Sequence, residues 1–281
     1  MSPGRPVQDR DDETTPPAKL GLEGVSKTFF AYTVNERVAL ADLSLRLDDG
    51  DFVTVIGSNG SGKSTLLSVI AGVYRPERGR VLIDGSDVTR LAEHARARLV
   101  GRVFQDPMAG TAPELTIEEN LAIAWHRSRA RGLGLGVTGS KRAHFRAELS
   151  ILGLGLEDRL TTRVGYLSGG QRQALSLVMA VMARPSLLLL DEHTAALDPA
   201  RAELITRITE REVAHHALTT LMVTHNMSQA LRLGNRLIML HEGRIVFELG
   251  GDAKATATVE SLLARFAQHI GDAAADQFLG G

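Results

Sequence analysis

The sequence predicts an α/β fold: a mixed, mostly parallel sheet core with an antiparallel β subdomain ahead of it and a helical subdomain inserted into it. Three observations carry this. Short apolar, β-branched runs alternate with stretches of helical spacing from Phe52 onward, the pattern of βα units on a doubly covered sheet. Leu22 to Phe30 and Val38 to Leu47 alternate apolar and polar residues, as half-buried antiparallel strands do. From Asp106 to about Tyr166 helical spacing replaces the β-branched runs.

Taken in order, Met1 to Lys19 is rich in proline and charge and reads as a disordered tail, 1–19. Phe52 to Ile56 is a strand that stops at Gly57, and Lys63 to Ala71 is helical. Arg80 to Ile83 with Asp84-Gly85 reads as a strand and turn. The helical subdomain, about 106–166, holds helices over Glu114 to Trp125 and Lys141 to Leu152, split by a Gly/Arg-rich loop from Arg127 to Gly139. Gln171 to Ala183 and Ala200 to His216 are helical, and Leu187 to Leu190 and Thr219 to Val223 are buried strands. Arg236 to Leu240 and Arg244 to Glu248 pair across Glu242-Gly243. These segments make one domain over 20–250. Residues 251–281 form a short helical extension, with helix from Glu260 to Phe278, too small for a regulatory domain.

Composition narrows the function. The 281 residues carry 32 Lys plus Arg against 33 Asp plus Glu, a formal net charge of −1. That balance argues against a nucleic-acid partner, which usually leaves a basic excess. With no cysteine, disulfides, thiol catalysis and thiolate metal sites are excluded. The longest apolar runs fall far short of the roughly 20 residues a bilayer requires, and the N-terminus lacks the apolar stretch of a secretory signal. A cytoplasmic protein is expected, attached to any membrane through a partner.

Three segments carry the chemistry. Gly57-Ser58-Asn59-Gly60-Ser61-Gly62-Lys63-Ser64-Thr65 matches G-x-x-x-x-G-K-[ST] between a strand and a helix. Its glycines let the backbone wrap a phosphate, and the helix that follows turns its positive end to the same group. Lys63 is expected to reach the β- and γ-phosphates of ATP and Ser64 to offer its hydroxyl to Mg²⁺. Leu187 to Leu190 ends in Asp191-Glu192. Asp191 would hold Mg²⁺ through water, and Glu192 would act as general base on the attacking water. Third, Leu167-Ser168-Gly169-Gly170-Gln171 stands at a helix start, a second anion grip. Two phosphate grips give a chain a reason to dimerise around one nucleotide.

That segment is the LSGGQ signature, and with the order of the other motifs the chain resembles the nucleotide-binding subunits of ABC transporters, P-loop NTPases of ABC type. The resemblance spans about Leu20 to Leu249. It implies that Gln105, in Val103-Phe104-Gln105-Asp106-Pro107, touches Mg²⁺ and the water and senses the membrane partner. It implies that Asp198 belongs to a loop communicating across the dimer, with Ser168, Gly169, Gly170 and Gln171 meeting the partner's ATP. His225, in Val223-Thr224-His225-Asn226, matches the histidine that contacts the γ-phosphate. Phe29 matches the aromatic that stacks on adenine, with Phe30 and Tyr32 as alternatives. Asp191 lies 23 residues after Ser168 and His225 lies 33 after Glu192, intervals that suit one helix plus one strand.

Three residues depart from the pattern. His193 stands where most relatives have proline, and Ala174 and Met179 stand where many have arginine. They remove no catalytic group, but altered surface pairing in the dimer and altered switching are expected from them.

The same resemblance leans to import. No transmembrane segment is fused to the chain, and Arg163-Val164-Gly165-Tyr166 lacks the acidic motif of exporters. Gly110 to Asn120, with Asp191-Glu192-His193-Thr194, resembles a branch that serves separate permeases related to branched-chain amino-acid permeases and an extracytoplasmic solute-binding protein. Amino acids or related small organic solutes are the implied cargo. The alternative is an ATPase driving a non-transport membrane complex in signalling or cell division. DNA-repair relatives are excluded, because only 105 positions separate Lys63 from Ser168 and leave no room for a coiled coil.

Overall fold

A computed structural model describes residues 17–127 and 136–270. The expected disordered tail thus falls almost wholly outside the described residues. So do the middle of the Gly/Arg-rich loop and the end of the C-terminal extension.

The chain opens with β1 (Leu20–Phe29) and β2 (Arg37–Leu47), then β3 (Phe52–Ile56) and α1 (Lys63–Ala71). β4 (Arg78–Ile83) and β5 (Ser86–Asp87) precede the one-turn α2 (Glu93–Arg96) and β6 (Val100–Val103). α3 (Ile117–Trp125), α4 (Gly139–Ser150) and α5 (Gly169–Met182) make the helical region. β7 (Leu187–Asp191), α6 (Pro199–His216), β8 (Thr220–Val223), α7 (Met227–Arg232), β9 (Arg236–His241) and β10 (Arg244–Gly250) complete the core. The short helices α8 (Gly251–Ala255) and α9 (Val259–Ile270) follow.

Two sheets form. One has the order β2-β1-β4-β5 and is antiparallel; the other has the order β10-β9-β3-β8-β7-β6. In the second, β9, β3, β8, β7 and β6 run parallel, and β10 alone is antiparallel. The period of two along β7 explains the layering. Leu187 and Leu189 pack with β1, β2 and α1, whereas Leu188 and Leu190 pack with α3, α4, α5 and α6. A strand that must be apolar on both faces reads as a continuous leucine run.

The structure differs from the sequence reading at several boundaries. α3 starts at Ile117 rather than Glu114, because Thr116 and Glu119 close a reciprocal capping box. β6 was not anticipated: it has four residues, two of them Gly101 and Arg102. Gly101 is needed there, since a Cβ would lie 2.7 Å from the Ala180 carbonyl oxygen of α5. Among the described residues the C-terminal extension holds two helices, separated at 256–258, where one was expected; the end of the expected helix, 271–278, lies outside the described residues. Leu262 and Phe266 of α9 are buried against Leu237, Met239 and Leu249 of the β9–β10 hairpin. Burying each side chain contributes about 1.5–3 kcal/mol, which fixes the extension to the core.

Register places the chemistry. Val55 of β3 pairs with Val223 of β8, and Val223 pairs with Asp191 of β7. The glycine loop, the acidic pair and the His225 segment therefore leave the sheet side by side at its carboxyl edge, where ligands of open α/β sheets bind.

Candidate functional site

Between β3 and α1, Gly57 and Gly62 are required by the space around them. A Cβ on Gly57 would sit 2.2 Å from the Leu240 carbonyl oxygen, and one on Gly62 2.3 Å from that of Ala39. Gly62 also sits at φ 107°, in the left-handed region, where it begins α1. No side chain caps this helix start, so its first amides keep their hydrogen-bonding capacity for an anion. The Ser61 hydroxyl is buried and unpartnered beside them, a further donor facing inward.

Lys63 Nζ donates to the carbonyl oxygens of Gly57 and Ser58 at 2.7 and 2.9 Å. An ammonium has three donors, so one remains for a phosphate oxygen. Burial pulls the Lys63 pKa below its ordinary value, and the charges of Glu192 and Asp191 push it back up. Those two carboxylates are thus electrostatic neighbours of the loop lysine. Arg37 of β2, which the sequence reading passed over, donates from Nη2 to the Gly60 carbonyl oxygen at 3.0 Å and braces the loop from outside.

At the end of β7, Glu192 has φ 42°, a strained conformation for a residue with a side chain. Its amide donates to the Val223 carbonyl oxygen, which ties the strain to β8. Glu192 Oε2 lies 3.3 Å from His225 Nδ1, so the candidate base and the candidate γ-phosphate histidine meet. Asp191 does not face open solvent; its Oδ2 accepts from Arg102 Nη2 of β6 at 3.0 Å. Arg102 was not singled out from the sequence.

A second network backs His225. Thr224 Oγ1 donates to Gln229 Oε1 at 2.8 Å, and Gln229 Nε2 donates to Thr206 Oγ1 of α6 at 2.9 Å. Asn226 caps α7 through its side chain. The spacing Asn226-x-x-Gln229 was the local signal for this helix start, and it went unread.

His193 sits one residue beyond Glu192 and is buried. Thr209 Oγ1 donates its proton to the Ile205 carbonyl oxygen, so the contact of 3.0 Å to His193 Nε2 requires an Nε2–H donor. Nδ1 is then bare and unpartnered, and burial holds the imidazole at a pKa of about 4 against an ordinary 6.5. Ala174 and Met179 are also buried, in the core between α5 and its neighbours. The surface effect expected of them is corrected: Ala174 is wholly buried and Met179 nearly so.

Ser168 is the N-cap of α5, and its Oγ accepts from the Gln171 amide at 3.3 Å. The Gln171 side chain turns back to accept from the Ser168 amide at 3.2 Å. Gly169 and Gly170 pack beneath Leu197 and Arg201, which joins the signature to the Asp198 loop. Asp198 caps α6 and pairs with Arg201 at 3.2 Å. Gln105 is exposed, and the neighbouring Phe104 carbonyl oxygen accepts from Gln173 Nε2 at 3.1 Å. Phe29 is half-buried with its ring edge-on to Tyr74, centroids 5.1 Å apart, whereas Phe30 and Tyr32 are exposed at positive φ.

Among the described residues no three His, Asp or Glu side chains form a metal cage. One carboxylate, Asp191, and one hydroxyl, Ser64, suit Mg²⁺, which keeps several waters and is bound mainly through substrate phosphates. No helix of the described residues is long and apolar enough to cross a membrane.

Comparison with known proteins agrees with this geometry. The profile of the ABC transporter family matches residues 40–195. A tyrosine transport ATP-binding protein of Clostridioides difficile (strain R20291) is 42% identical over 247 residues, 88% of this chain and 98% of that one. An aliphatic sulfonates import ATP-binding protein of Rhizobium johnstonii is 34% identical, over 83% of this chain and 77% of that one. Among solved structures, a dimeric post-hydrolysis ATP-binding cassette bound to ADP and Pi superposes with a TM-score of 0.71 at 29% identity. It covers 82% of this chain and 98% of its own. A phosphate-binding loop, a strand-end acidic pair and an LSGGQ helix on one such cassette leave one assignment: the chain belongs to the ABC transporter family, as an ATP-binding subunit that hydrolyses ATP.

Proposed function

We propose that this chain is the motor of an ABC importer, working in pairs beneath a separate permease that receives solute from an extracytoplasmic binding protein. Similarity to transport and import subunits along 98% of one relative and 77% of another carries this reading. Amino acids or related small organic solutes are the proposed cargo, since the 42%-identical relative is named for tyrosine. The chain would then sit at the inner face of the membrane without entering it.

In the proposed cycle, the α1 amides and Lys63 hold the β- and γ-phosphates of ATP, and Phe29 lies against adenine. Ser64, Gln105 and, through water, Asp191 would hold Mg²⁺, which supplies neutralisation of phosphate charge. Ser168 to Gln171 of a second copy, with Asp198 beside them, would complete the site. Glu192 accepts the proton of the attacking water while His225, 3.3 Å away, contacts the γ-phosphate. The strain at Glu192 aims its carboxylate, since β8 holds the backbone amide in place.

The test is reconstitution with the permease and binding protein in sealed vesicles. ATP-dependent accumulation of labelled tyrosine or a close relative is the expected outcome. A complex that hydrolyses ATP but accumulates none of a panel of amino acids overturns the cargo, and ATP-driven efflux overturns the direction.

A further inference from the structure

We infer that Arg102 is a positioning residue that holds one oxygen of Asp191 and competes with a divalent cation for that carboxylate. The inference rests on the reading of Asp191 as the metal-side carboxylate. Arg102 projects from β6, whose backbone runs parallel to β7, and its Nη2 reaches Asp191 Oδ2 at 3.0 Å. Both side chains are largely withdrawn from water, at 15% and 13% exposure, so solvent screens the pair little.

Arg102 has a second resting place. Its guanidinium carbon lies 4.6 Å from the centroid of the Phe104 ring, within cation–π range. Its Nε is buried with no partner. A guanidinium held by a carboxylate on one side and an aromatic face on the other can leave the first without losing the second. Phe104 directly precedes Gln105, and its carbonyl oxygen is pinned by Gln173 of α5. Release of Arg102 from Asp191 therefore changes the charge beneath the Gln105 loop, so the occupancy of the metal position is felt there. Chain length hides this: Arg102 and Asp191 are 89 residues apart.

A Mg²⁺ titration of the purified full-length chain with a fluorescent, non-hydrolysable ATP analogue tests the inference. Arg102→Met removes the charge and keeps the stem. The Mg²⁺ concentration at half-saturation should fall roughly tenfold, the factor two unit charges 3 Å apart gain even at the dielectric constant of water. Arg102→Lys, which restores the charge, should stay near the parent. An unchanged midpoint, or a rise, in Arg102→Met overturns the inference. A far-UV circular dichroism spectrum and melting temperature like the parent's show that a variant is folded, and Arg102→Gln carries the same expectation if Arg102→Met is not. A parent whose analogue binding ignores Mg²⁺ would overturn the reading of Asp191 instead. A Mg²⁺-dependent parent with an indifferent Arg102→Met overturns Arg102 alone.

Discussion

Among the described residues, the glycine-rich starts of α1 and α5 are finished in opposite ways. α1 begins at a left-handed glycine with no side-chain cap, beside a buried ammonium and an unpartnered serine hydroxyl. α5 begins with a closed capping box in which Ser168 and Gln171 satisfy each other's amides. The first is incomplete without an anion. The second is complete by itself, and can lend a phosphate only what its cap leaves over, chiefly the Ser168 hydroxyl proton and the glycine amides. In the proposed cycle this difference gives affinity to the P-loop and a supporting role to the signature, whose contribution waits on a second copy.

Substitutions can break or sharpen that contrast. The largest effect belongs between the two starts, at the acidic edge. Glu192→Gln should bind ATP as the parent does while steady-state hydrolysis falls about 10³-fold, as loss of a general base does. Equal turnover in mutant and parent would remove Glu192 from that role. Lys63→Ala should weaken binding of a fluorescent ATP analogue about 10²-fold, through loss of a charge-assisted phosphate contact. Ser168→Ala should leave analogue binding by the lone chain unchanged, lower hydrolysis, and reduce stability by about 1 kcal/mol through loss of the cap. If Ser168→Ala weakened binding as much as Lys63→Ala, the contrast would collapse.

His193 offers a finer test, by pH. Its folded pKa of about 4 is below its ordinary 6.5, so between these values the unfolded chain binds more protons than the folded one. The stability from keeping it neutral is full above pH 6.5 and drains as pH falls toward 4. At pH 5 the loss should be about 2 kcal/mol relative to pH 7.5. Denaturant unfolding of parent and His193→Asn at both pH values isolates it, and parallel losses in the two proteins would refute the assignment.

What could be read from the sequence was local. The nine residues Gly57 to Thr65 carry their own chemistry, and four leucines before Asp191 announce a strand buried on both faces. Helix starts were legible wherever a cap and its partner stand three apart. Thr116 with Glu119 would have corrected the start of α3, and Asn226 with Gln229 would have revealed α7. Contacts between distant segments left no such trace. Nothing near Arg102 points to Asp191, nothing near His193 points to Thr209, and the burial of Ala174 and Met179 depends on which face of α5 meets α3 and α6. A four-residue strand containing glycine and arginine, β6, has no periodicity to read.

The dependence of each phosphate site on two copies is tested most directly by mixing. Lys63→Ala has a ruined loop and a sound signature; Ser168→Arg has the reverse. Each alone should hydrolyse little ATP, and mixing them should restore turnover, because a mixed pair holds one site with both halves intact. Normal hydrolysis by Ser168→Arg on its own would contradict the shared site, and so would a mixture no more active than its parts.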